Sequence, residues 1–188
     1  QAQTLASKLS TGKGYTSSLM FGVQWDLILK HIETKEVKKG TTLETIQSAL
    51  KDDSSSWGNY YNASFEINRG KYAKFGAIST WYNYNNENGL ENCVTYANGT
   101  STKVQATSKS SAILLTTGAS DTCKKMNIYD LAGNVREWTL ERYSGRTSRC
   151  ADRGGCYASS SSYSVSGHTY MDDTSGTSNL GFRLSLYK

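Results

Sequence analysis

Proline is absent from all 188 residues, although about one residue in twenty is typical. The loops must therefore take their rigidity from packing and hydrogen bonds, not from fixed ring geometry. Long apolar runs are missing too. None approaches the roughly 18 residues that a membrane span requires, which excludes membrane insertion by this segment. Histidine is scarce, with only His31 and His168. The four cysteines, Cys93, Cys123, Cys150 and Cys156, lack the paired CxxC spacing of structural zinc. They allow three disulfide connectivities, and spacing does not choose among them. An exported chain would carry one or two bridges, a cytoplasmic one buried thiols. The net charge is +5, but the lysines are scattered, with no basic stripe interleaved with aromatics. Nucleic-acid binding needs a concentrated basic face, so it is not expected.

What is present suits one domain over residues 1–188, rather polar at 37% hydrophobic residues and a mean hydropathy of -0.56. Residues 1–18 are polar and expected to be mobile. From about Leu19 to Glu36 apolar residues fall at helical spacing, with Phe21, Trp25, Ile28 and Ile32 on one stripe and Met20, Val23 and Leu27 beside it. Ser17 or Ser18 is the expected cap, and Gly40 the stop. A second helix is expected over Thr42–Lys51, opened by a Thr41–Glu44 capping box, with Leu43, Ile46 and Leu50 on one face. Beyond Asp52, aromatics mix with Asn, Gly and Ser, the composition of short strands carrying long loops. Asn85–Asn92 and Ala97–Ser111 read as polar connectors, with a short apolar run at Ile113–Leu115. The expected class is α+β, with short strands, one or two helices and long irregular loops.

The final third holds three fixed pieces: YDLAGNVREWTLE from Tyr129 to Glu141, RGG at Arg153–Gly155, and NLGFR from Asn179 to Arg183. Together they resemble the formylglycine-generating-enzyme family, which implies its C-type-lectin-like fold. GVQWDLILKHIE resembles the family's EWE-containing helix, with Trp25 on the matching tryptophan. The resemblance covers residues 127–188 and this helix, but not the stretch between. It implies a turn at Gly133–Asn134, core anchors at Trp138 and Phe182, and a solvent-facing Arg136 where the family has tryptophan. The family's oxidase chemistry uses two copper-binding cysteines downstream of RGG. Those positions hold Ser159 and Ser164, and a hydroxyl is neither a soft copper ligand nor a redox thiol. The chain is therefore not expected to be an enzyme and no cofactor is expected. A degenerate family oxidase or non-haem iron enzyme is the alternative; the iron site would need His31 and His168 to converge with a carboxylate. A Ser/His/Asp hydrolase built on His168 and Asp172 or Asp173 lacks a GxSxG elbow. The calcium that family members hold near the GN turn would fall on Asn134 and Glu137, too few residues to identify a site.

Between RGG and NLGFR, residues 156–178 contain eight serines and no Lys, Glu, Gln or Trp, whereas the other 165 residues contain 31 of those four types. Adenine-directed mutagenesis of an asparagine codon ending in a pyrimidine reaches Ser, Tyr, Thr, Gly, Asp and His, and reaches none of the missing four. Met171 also lies outside that scheme and would be template-encoded. A fixed frame around such a window resembles the variable proteins of diversity-generating retroelements. Tyrosine supplies amphipathic contact area with few rotatable bonds, and Ser, Gly and Thr supply adaptable hydrogen bonding. Residues 156–178 are thus expected to form a variable ligand-binding region. Its contacts are Tyr157, Ser159, Ser161, Tyr163, His168, Tyr170, Met171, Asp172 and Asp173, with tyrosines and Met171 as anchors and the aspartates setting charge preference. Tyr157, directly after RGG, can instead point inward. Ser161 and Thr174 are expected to face solvent and tolerate substitution. The resemblance implies a protein or cell-surface glycan partner and a bacterial surface or phage setting. It leaves the oligomeric state and the ligand's identity open.

Overall fold

The computed structural model describes residues 1–9, 14–84, 93–145 and 149–188. Among these residues the helices are α1 (Ala2–Ala6), α2 (Gly22–Lys38) and α3 (Leu43–Lys51). Ser17 and Ser18 do not cap α2; they belong to strand β1 (Thr16–Leu19), inside the segment expected to be mobile. The Ser17 hydroxyl donates to the carbonyls of Ala6 and Leu9 at 2.6 and 3.1 Å, which ties α1 to β1. Helix α2 opens at Phe21, whose N–H is taken by the Gln24 side chain at 2.8 Å. Its buried seam is Trp25, Leu29 and Ile32, while Phe21, Val23 and Leu27 are exposed. Gly40, at φ +105, closes the helix in a Schellman turn, with the N–H groups of Gly40 and Thr41 on Val37 and Glu36. Helix α3 is capped one residue later than expected, by Thr42 accepting from the Thr45 N–H at 3.2 Å. Its Ile46 and Leu50 are buried, and Leu43 is exposed.

The strands that follow are short: β2 (Phe65–Ile67), β3 (Tyr72–Lys74), β4 (Ala77–Tyr82), β5 (Val94–Ala97), β6 (Thr100–Lys103), β7 (Ile113–Leu115), β8 (Lys124–Lys125) and β9 (Ile128–Tyr129). The apolar run at Ile113–Leu115 is β7, and the expected connector Ala97–Ser111 contains β6. Asn85–Asn92 lies outside the described residues. Four strands then form the sheet that positions the site: β10 (Arg136–Arg142), β11 (Arg149–Arg153), β12 (His168–Asp172) and β13 (Leu180–Phe182), in the order β12-β11-β10-β13. The β10–β13 pair is parallel, the others antiparallel. The last strand, β14 (Leu184–Tyr187), returns to pair with β1. No described helix is long and apolar enough to cross a membrane.

The main core gathers Trp25, Ile32, Tyr60, Leu131 and Val165 beneath the sheet. Trp25 donates its indole N–H to the Val165 carbonyl at 2.9 Å. The RGG glycines sit where nothing larger fits, both at positive φ. A Cβ on Gly154 would come within 2.7 Å of the Leu131 carbonyl, and one on Gly155 within 2.5 Å of the Tyr163 carbonyl. Asn134, itself at φ +57, uses its amide as a strand edge. It accepts from the Leu115 N–H and donates to the Leu115 carbonyl, both at 3.0 Å.

Candidate ligand-binding groove

Strand β10 alternates, but with its polar residues inward. Glu137 is buried against Arg183, which grips both carboxylate oxygens, and Thr139 is buried with its hydroxyl donating to the Ala151 carbonyl at 3.0 Å. Alternation then turns Trp138 and Leu140 to the opposite face. Phe182 is the register partner of Trp138 across β10–β13, so the two side chains emerge on the same face, Phe182 37% exposed. These two are not the core anchors that the sequence suggested. They line a groove of about 640 Å³, a volume in the range of ligand sites.

The groove has three parts. Its floor is Trp138, Leu140, Leu180 and Phe182, and Cys150 also lines it. One wall comes from α1 and β1, through Gln3, Leu5 and Leu19. The other wall is the turn Asp173–Thr177, the last part of the serine-rich window. That turn is held at its base: the Ser175 N–H bonds the Asp172 carbonyl at 2.8 Å, and the Thr177 hydroxyl bonds Asn179 Oδ1 at 2.6 Å. Arg142 and Asp173 form an ion pair of 3.5 Å among the lining residues.

The residues expected to make contacts are divided by the fold. Tyr157 is fully buried in a second cluster with Ala73, Leu114 and Cys156, so it is not on the surface. Ser161 is also misplaced by the sequence reading: it is 2% exposed, and its N–H and hydroxyl pair with the Asn62 side chain at 2.9 and 2.8 Å. Ser159 is half-buried, its hydroxyl 3.1 Å from the Cys156 sulfur. Ser164 is buried. On the surface are Tyr163, 58% exposed, and β12 with the turn beyond it. His168 and Tyr170 pack edge to face at 5.1 Å, and Tyr170 meets Tyr143 at 4.9 Å. Met171 is half-buried, and Asp172 and Asp173 are exposed. Both aspartates face arginines, Asp172 lying 3.3 Å from Arg149, which offsets the charge they were expected to display.

Arg136 is not solvent-facing. Its guanidinium lies 3.6 Å from Asp152 and 3.3 Å from Asn179 Oδ1, with 22% of the side chain exposed. Asn179 in turn donates to the Cys156 sulfur at 3.3 Å. The two side chains considered for calcium already have protein partners. Asn134 Oδ1 already accepts from Leu115 and from Asn59, and both oxygens of Glu137 are held by Arg183. Among the described residues no three His, Cys, Asp or Glu side chains converge as a metal site. Cys123, Cys150 and Cys156 are thiols.

A family model described as FGE-sulfatase, the sulfatase-modifying factor enzyme 1-like domain, matches residues 39–186. No curated protein and no solved structure matches the chain.

Proposed function

The chain belongs to the sulfatase-modifying factor enzyme 1-like family, and from that premise we propose that it is a recognition module whose groove binds a ligand. Its short strands and helices fit the C-type-lectin-like α+β fold of that family. The observation that carries the reading is the make-up of the groove. Frame residues Trp138 and Phe182 form the floor, and window residues 173–177 form a wall. A pinned frame beside a small-polar turn lets the contact surface change with little effect on stability, since exposed substitutions usually shift it by under about 0.5 kcal/mol.

In this reading the variable positions are Tyr163, the exposed residues of β12, and the turn beyond it, while the buried part of the window belongs to the frame. The module acts as an adhesin or receptor-recognition component on a bacterial surface or phage particle, with a protein or glycan as partner. Thiol oxidation is not its activity, because hydroxyls occupy the Ser159 and Ser164 positions and cannot cycle as thiols.

A binding screen against protein and glycan panels tests this. A partner bound by the wild type and lost on Trp138→Ala, with the fold intact, supports the module. Stoichiometric copper binding with conversion of a cysteine peptide to formylglycine contradicts it.

A further inference from the structure

The lining of the groove narrows the class of ligand, given that the groove is the binding site. Trp138 and Phe182 stand side by side on one face of the sheet, which offers apolar contact along the floor. The opposing wall contributes no large apolar group. Thr174 and Ser175 bring small hydroxyls beside Gly176, and the Thr177 hydroxyl, which donates to Asn179 Oδ1, keeps its acceptor lone pairs. A ligand that suits both has an apolar ring face and a periphery of hydroxyls.

Charge narrows it further. Among the described residues the charged side chains lining the groove are Arg142 and Asp173, and they pair with each other at 3.5 Å. Asp173 offsets the Arg142 charge, so these two residues give the groove little net positive charge to favour a sulfated, phosphorylated or carboxylated ligand. An extended peptide finds no strand edge at the centre of the floor, because β11 and β13 occupy both sides of β10. We propose that the groove takes a neutral oligosaccharide, with sugar C–H faces on Trp138 and Phe182 and sugar hydroxyls toward Thr174, Thr177 and the Arg142–Asp173 pair.

The test is an array carrying neutral, sialylated and sulfated glycans, with a parallel peptide array, probed with the wild type, Trp138→Ala and Trp138→Phe. Circular dichroism and melting confirm that each variant is folded. Neutral glycans should be the hits. Trp138→Ala should weaken them at least about tenfold, and Trp138→Phe, which keeps a ring, by about threefold or less. Hits confined to acidic glycans, or to peptides and still dependent on Trp138, would overturn the saccharide assignment and leave the groove as a binding site. Hits indifferent to Trp138, or none on either array, would overturn the assignment together with the groove reading beneath it.

Discussion

Arg183 closes on Glu137 across the parallel pair β10–β13, and the same guanidinium donates to the carbonyls of Tyr129 and Asp130 at 3.2 and 3.1 Å. One side chain from the closing GFR segment thereby pins the approach to the GN turn and keeps the inner face of β10 polar. That arrangement places Trp138 and Phe182 on the outer face, in the groove.

Removing Arg183 should cost more than the pair's net worth, because Glu137 is left buried and unpaired, whereas Glu137→Gln leaves a partly exposed Arg183 still bonded to two carbonyls. Arg183→Met should destabilise the domain by about 3 kcal/mol, and Glu137→Gln by less. Arg183→Lys should not restore it, since an ammonium cannot hold both carboxylate oxygens and two carbonyls in one plane. Urea unfolding curves measure this. Midpoints at the wild-type value would show that the contact is incidental.

Ser161 and Thr174 should part company on substitution. Ser161→Ala removes a hydroxyl that satisfies the Asn62 amide in a buried site and should cost about 1–2 kcal/mol. Thr174→Ala, in the exposed turn, should stay within roughly 0.5 kcal/mol. Similar melting shifts for the two would contradict the division of the window into frame and contact surface.

These contrasts show what was legible in the chain. The helical period located α2 and α3 and placed Trp25 and Ile32 on the inward face of α2, but it did not separate them from Phe21, Val23 and Leu27. Phe21 carries the right spacing yet lies before the first turn, and Val23 and Leu27 remain exposed. The fixed motifs identified the family and the turn at Gly133–Asn134. What composition could not separate was serine facing solvent from serine satisfying another buried group, as Ser161 does for Asn62. The family resemblance implied a core anchor at Trp138. Here the inward side of β10 is polar, and Glu137 has its partner at Arg183, 46 residues away. That pairing is set by topology, which the local pattern does not contain.

Lys103 gives the domain an unusual dependence on pH. Its side chain is buried, with Nζ 2.7 Å from the Ala63 carbonyl and 3.4 Å from those of Tyr61 and Val104. Burial pushes its pKa down to about 8, from 10.5. Between those values the unfolded chain binds a proton that the folded one does not, so Lys103 by itself makes stability rise with pH, by up to about 3 kcal/mol. From about pH 9 an opposing slope sets in, because burial pushes the Cys123 thiol up to about 12 and holds the Tyr60 and Tyr84 phenols well above their ordinary range, while the same groups in the unfolded chain ionise. Unfolding free energies from pH 7 to 11 should therefore pass through a maximum. Lys103→Met should flatten most of the rising limb, to which Lys125, its pKa also lowered by burial, adds; a rise of wild-type size in Lys103→Met would refute its origin in Lys103.

Cys150 should be the thiol that reports on the groove. It lines the groove and is half-buried, whereas Cys93, Cys123 and Cys156 are buried. Burial raises its pKa, so alkylation should be slow at neutral pH and faster in mild alkali. Iodoacetamide on the native protein, read by peptide mass spectrometry, should modify Cys150 first, and Trp138→Ala should speed the reaction. Prior modification of Cys123 or Cys156 would contradict the packing around the groove.

The central claim, that the groove between α1 and the Asp173–Thr177 turn is the site of recognition, is tested most directly by chemical-shift mapping. The protein would be labelled with nitrogen-15 and titrated with the strongest binder from the arrays. The account predicts that the largest shifts fall on the Trp138 indole and on the amides of Asp173–Thr177 and Leu180–Phe182. Shifts centred on the exposed face of α2 or on β4, with the Trp138 indole unmoved, would contradict it.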